Sequence, residues 1–237
     1  MSWQQMLIVA AVMIIGSMVH GSTGIGLGLI AGPVLVSVEP DYLPGPLMLV
    51  SVLIGIRHLL VEHQNIDRKI LGRLVLGMPI GVALAVLLLT RLDDRTMSFG
   101  IGGLIVVTVA ALLAGAELPR TSTNEVIGGA ASSFGAVTAA VPGPQLVMTL
   151  HDLPGPQMRP TIAATTAISG VATAVSLTLV GRFGADELLL WGGLIPPVLI
   201  GLFLARFVRP WLDREMFRPV ILVIALIGGL ALIIRNL

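Results

Sequence analysis

Cysteine is absent from the chain, which excludes disulfides and thiol catalysis. Lysine occurs once, as Lys69, and follows no glycine run, so no phosphate-binding P-loop is present. The metalloprotease pattern HEXXH is also missing. Charge is scarce: Asp, Glu, Lys and Arg make up 11% of the 237 residues, against about a quarter in a soluble domain. The formal net charge of +1 leaves no basic footprint for nucleic acid. Aromatics are only 4%, and the bulk is Leu, Val, Ile, Ala and Gly, with a hydrophobic share of 55%. Such a chain cannot cover a soluble surface, and its composition points to a polytopic membrane protein. The N-terminus lacks a basic leader, so Trp3–Val19 reads as an uncleaved span.

Charges and prolines cut the chain into apolar segments at about 3–38, 46–61, 70–90, 97–115, 126–150, 160–180, 188–208 and 219–234. Most approach the ~20 residues of a spanning helix. The first is too long: as one helix it would run about 54 Å, against a hydrocarbon core of about 30 Å. It must break or turn back, and the glycine-rich GSTGIGLGLIAGP at 21–33 is the place for that. Segment 126–150 carries a similar stretch, SSFGAVTAAVPGP at 132–144. Taken as a straight span, it distributes Lys and Arg seven to each side. Taken as a segment that enters and returns, it gives ten against four, which the positive-inside rule prefers. Loops Arg57–Arg73 and Arg206–Arg218 are then both cytoplasmic.

Three matches recur in the same order. LPGP occurs at 43–46 and 153–156, Gly32-Pro33 corresponds to Gly143-Pro144, and RLDDRTM at 91–97 resembles WLDREM at 211–216. They suggest an internal duplication with repeats 1–115 and 124–237, each a broken segment followed by three plain spans. With a returning 126–150 segment the halves are oppositely oriented. That is the inverted-repeat plan of secondary transporters, with substrate held at interrupted helices.

A broken helix leaves N–H groups without partners, and a half-helix N-terminus favours an anion. On this reading Ser22, Thr23, Gly24, Gly26, Ser132, Ser133, Gly135 and Thr138 line a central anion site. Gly24, Gly28 and Gly32 also fit the small-xxx-small pattern of tight helix packing, and the two roles are compatible. His20, the one imidazole in the first run, can donate to an anion, carry a proton or cap a carbonyl. Arg57 can attract an anion or snorkel to the headgroups. Gln145 and Thr165 can supply neutral donors, although threonine also bonds back to its own helix.

The chain resembles the TauE/SafE family, the sulfite exporter or 4-toluene sulfonate uptake permease family, over about residues 10–235. The resemblance rests on GIGLGLIAGP (24–33), GMPIGVALA (77–85) between NID and RLDD, and IGGAASSFGAVTAAVPGPQL (127–146). It continues through RPTIAATT (159–166) and RPWLD (209–213). It implies duplicated modules and transport of sulfite, organosulfonates or related oxyanions and carboxylates. The expectation is therefore an all-α protein of the inner (cytoplasmic) membrane, without enzymatic activity, metal or cofactor. It would move a small anion by alternating access, with proton coupling open. A passive anion channel and a non-transporting membrane scaffold are the alternatives. Its partners would be the anion and membrane lipid, not nucleic acid; a homodimer is compatible with the sequence.

Overall fold

The computed structural model describes residues 2–92, 94–212 and 217–235. Among them it holds ten α-helices and no strand. These are α1 (Trp3–Thr23), α2 (Leu27–Val38), α3 (Gly45–Glu62), α4 (Arg68–Leu89), α5 (Asp94–Leu113), α6 (Ser122–Ala139), α7 (Gly143–Leu150), α8 (Gly155–Leu179), α9 (Ala185–Leu212) and α10 (Phe217–Arg235). The chain is thus all-α, and five of its helices are long and apolar enough to cross a membrane. Local chemistry sets the starts. Ser2 and Gln5 form a reciprocal capping box on α1. Asp67 accepts from the N–H groups of Lys69 and Ile70 at α4, and Thr121 from Asn124 N–H at α6. Helices α3, α7 and α8 each begin Gly-Pro, where proline's missing N–H costs no helix bond.

Both apolar segments expected to turn are broken: 3–38, whose length requires it, and 126–150, for which the Lys and Arg distribution favoured it. The first divides at Gly24–Gly26, the second at Ala140–Pro142. Each forms a helical hairpin rather than a kinked rod. In the first, Gly16 packs against Leu27 and Ala31; in the second, Gly128 packs against Thr149, and Gly135 against Val141 and Gln145. The second hairpin also returns to where it began. Leu118 N–H donates to Met148 O, Arg120 pairs with Asp152 at 3.4 Å, and His151 lies 3.5 Å from Glu117.

Helices α3 and α8 are the central pair. A Cβ built on Gly55 would lie 2.8 Å from Ala163 O, and one on Gly170 would lie 2.7 Å from Met48 O, so the two helices run antiparallel. Around them the packing is reciprocal. α3 touches α1, α2 and α9, while α8 touches α6, α7 and α4. α1 lies along α9 as α6 lies along α4, and α5 packs on α10.

These crossings depend on glycine. Gly77 and Gly81 of α4 face Val126 O and Ala130 O, each 1.9 Å from where a Cβ would stand, and Gly129 faces Leu74 O in the same way. Such approach compensates for the missing hydrophobic drive between helices in lipid. An ion pair adds to it: buried Glu125 accepts from Arg73 Nη1 at 2.8 Å, tying α6 to α4. Large apolar side chains such as Leu60, Leu76, Val107, Leu179 and Leu189 point outward, which suits lipid and not water. The side chains of Arg95, Arg209, Arg214, Arg218 and Arg235, and much of the RLDDRTM and WLDREM pair, lie outside the described residues.

Two α4 glycines separate packing from propensity. Gly77→Ala is expected to destabilise by about 1–3 kcal/mol through overpacking, whereas Gly72→Ala, with open space around it, is expected to stabilise by up to about 1 kcal/mol. Thermal unfolding in detergent measures both.

Candidate functional site

The two breaks meet. A Cβ built on Gly28, in the first turn of α2, would lie 1.9 Å from Ala140 O, and one on Gly143 would lie 2.7 Å from Ile25. Each break uses the left-handed region. Gly24 closes α1 at φ 84°, with its N–H on His20 O at 2.8 Å, and Gly26 precedes α2 at φ 115°. Ala140 closes α6 at φ 55°, the one described non-glycine residue with positive φ. Its N–H reaches Ala136 O, and Val141 N–H reaches Gly135 O.

The helix starts are then left with donors. The first bond within α2 is Ile30 N–H to Gly26 O at 2.9 Å, so the N–H groups before it have no helical acceptor. Gly26 and Pro142, at the starts of α2 and α7, make no side-chain cap. The starts of the two helices face one small cavity, with room for about one water-sized sphere (≈ 10 Å³). His20 from α1 and Ser51 from α3 complete its lining, which includes no acidic residue. His20 is 5% exposed, and its Nδ1 has no hydrogen-bond partner. Two positive half-helix ends, an imidazole and a hydroxyl make a donor-rich pocket suited to a small anion.

The candidate residues divide into those at this cavity and those elsewhere. His20 and Gly26 line it, and Gly24 shapes the turn beside it. Ser132, Gly135 and Gln145 support it from behind. Ser132 Oγ donates to Pro142 O at 3.0 Å, and Gly135 lets Val141 and the Gln145 side chain approach. With its amide nitrogen turned inward, Gln145 donates to Val141 O at 2.9 Å and Pro142 O at 3.2 Å.

The remaining hydroxyls are engaged with carbonyls. Ser22 Oγ donates to Met18 O and across to Ala205 O of α9. Ser133 Oγ donates to Met78 O of α4, and Thr165 Oγ1 to Thr161 O one turn back. Thr138 bonds Phe134 O and borders an outer apolar crevice with Leu88 and Leu104. Arg57 is exposed on α3 and does not line the cavity. The side chain of Thr23 lies outside the described residues.

Two neighbours of the site were not singled out from the sequence. Ser51 is the only polar side chain between Tyr42 and Arg57, a signal that was present. Arg159 of α8 passes alongside Gly24, 3.8 Å from a Cβ built there; only the tertiary fold brings it to the first break. Among the described residues no cluster of His, Asp and Glu could hold a metal ion.

The family model described as sulfite exporter TauE/SafE matches residues 8–232. The chain belongs to that family. TauE/SafE membership and the five apolar helices make it a multi-pass membrane protein of an anion-transporter family. No curated protein and no solved structure matches this TauE/SafE chain.

The junction between the breaks has two opposite sensitivities. Gly28→Ala is expected to destabilise by about 2 kcal/mol or more, because the new methyl meets Ala140 O. Ala140→Gly is expected to stabilise by about 1 kcal/mol by relieving its left-handed backbone. Chemical or thermal unfolding in detergent distinguishes them.

Proposed function

We propose that this protein is a secondary transporter of a small sulfur-containing or organic anion, such as sulfite, an organosulfonate or a related oxyanion. It works by alternating access across the cytoplasmic (inner) membrane. The observation that carries this reading is the pair of helix starts, α2 and α7, facing one cavity whose lining includes no acidic residue. An anion stripped of water needs replacement donors, and first-turn N–H groups without an intrahelical acceptor supply them without ordering long side chains. His20 and Ser51 add two more donors.

Alternating access is favoured over an open channel by the size of the cavity. Room for about one water does not hold an oxyanion, so the walls must part for it to enter. The reciprocal packing supports two inverted halves, 1–115 and 124–237, that rock against each other. The contacts of α3 with α8 map onto themselves at one offset: Gly55 meets Ala163 and Ala167 as Gly170 meets Met48 and Val52, and positions 48, 52 and 55 correspond to 163, 167 and 170, each 115 residues on. Antiparallel central helices related in this way fit a two-fold axis in the membrane plane.

The test is a thermal-shift screen of the purified protein against sulfite, methanesulfonate, thiosulfate and acetate, followed by flux in proteoliposomes. A ligand at about 100 times its Kd stabilises the folded state by about 2.7 kcal/mol. His20→Ala is expected to weaken anion binding about 10- to 100-fold, the effect of losing one donor to a charged group. Ser133→Ala should leave affinity near wild type and lower thermal stability, because its hydroxyl ties α6 to α4. Equal affinity in wild type and His20→Ala removes this site assignment.

A further inference from the structure

Resting on the transport reading above, we propose that the anion travels with a proton, which reaches the cavity along one face of α3, through Glu62 and His58 to His20. The residues Ser51, Gly55, His58 and Glu62 are spaced four, three and four apart, so they share one face of that helix. Ser51 lines the cavity. His58 is 3% exposed, and its Nδ1 stands 3.9 Å from Glu62 Oε1, itself 17% exposed at the helix end. His58 lies seven residues, two helical turns, along the same face from Ser51, which lines one cavity with His20. His20 presents a buried Nδ1 without a hydrogen-bond partner at the cavity. Three titratable groups therefore run from the surface to the site.

The other charged groups nearby come from each packed element. Helix α8 contributes part-buried Arg159, the turn after α3 contributes His63, and α3 itself carries exposed Arg57. Helix α9 contributes Arg206, which is exposed and stacked on Phe203 and Phe207; its Glu187, with Asp41 of the turn before α3, lies by Pro44 at the opposite end of α3 from Glu62, and α2 carries no charge. Along this face, Glu62 is the carboxylate that can take a proton from water and pass it inward.

The relay balances. Glu62 takes a proton from water and passes it to His58 Nδ1. His58 releases the proton of its other ring nitrogen to a bridging water, which gives one of its own to His20 Nδ1, and ring rotation restores the first tautomer of His58. The net change is one proton moved from water to His20, with only N–H and O–H bonds made and broken. Its physical motive is charge. An anion alone in a low-dielectric pocket is costly, and an imidazolium opposite it offsets that cost, so proton and anion favour each other's binding. By the positive-inside rule the Glu62 end of the relay opens to the cytoplasm.

The experiment uses the whole chain in proteoliposomes with voltage clamped by potassium and valinomycin. The probes are sulfite, thiosulfate and methanesulfonate; the last is the anion of a strong acid and brings no proton of its own. Wild type should exchange label at symmetric pH. For one proton per methanesulfonate it should accumulate the anion about tenfold across a gradient of ~1 pH unit. Glu62→Gln and His58→Gln should keep symmetric-pH exchange and lose the accumulation, while Glu62→Asp should retain it. Accumulation unchanged in both Gln variants overturns the relay and leaves the transport reading standing. So does wild-type exchange that ignores the gradient. A variant that melts like wild type yet loses exchange places its residue in the anion's own passage and also overturns the relay. Absence of flux for every probe in wild type overturns the relay and the transport reading together.

Discussion

Inside hydrocarbon, a backbone that leaves its helix can satisfy its polar groups only with other protein or with trapped water. Two interruptions placed separately would each expose donors and acceptors to lipid. Here they lie against each other, and most of the loose groups are taken up locally. His20 O receives Gly24 N–H, Gly135 O receives Val141 N–H, and Ser132 bonds Pro142 O. The turns can therefore be held in the protein interior, and the donors left over at the starts of α2 and α7 are concentrated in one place.

Glycine makes that placement feasible at a second level. The helices that hold the hairpins, α4 against α6 and α9 against α1, cross with backbone on backbone. Gly81 sits over Ala130 O, and Gly201 fits beside Ser17 and Ile14 O. Larger residues at these crossings would move α1 and α6 away from the centre, and Gly28 would no longer reach Ala140 O. Packing and turning are thus consecutive uses of one glycine-rich pattern: some positions bring helices together, and Gly24 and Gly26 turn the chain where they meet.

Much of the architecture was legible in the sequence because it follows from length. A run of apolar residues longer than a bilayer must turn, and at 3–38 glycine marks where; the turn in 126–150 followed from the distribution of Lys and Arg and falls at Ala140–Pro142. Charged and proline-rich stretches marked the other helix ends closely. The roles of individual hydroxyls were not legible. Ser22, Ser133 and Thr165 have the right chemistry for a ligand, but whether a hydroxyl faces a cavity or a carbonyl is decided by helix rotation, which spacing does not reveal. Arg159 was hidden for another reason: it joins the first break from a helix more than a hundred residues away. The LPGP match located two helix starts, Gly45 and Gly155, but the packing of α3 on α8 repeats five residues out of step with it. Pro-Gly-Pro recurs a third time at 142–144, beside the start of α7. The tetrapeptide therefore reports helix-initiation chemistry more directly than ancestry.

The engaged hydroxyls have a consequence for selectivity. On the proposed reading, with Ser22, Ser133 and Thr165 turned to carbonyls, the grip on a guest passes mainly to amides of the main chain, which only a substitution to proline removes. A sieve made this way judges diameter and sign before shape. Descendants of such a chain would change cargo by altering the bulk of Ile25, Leu29 or Val141 around the gap, while its amide lining persists unchanged.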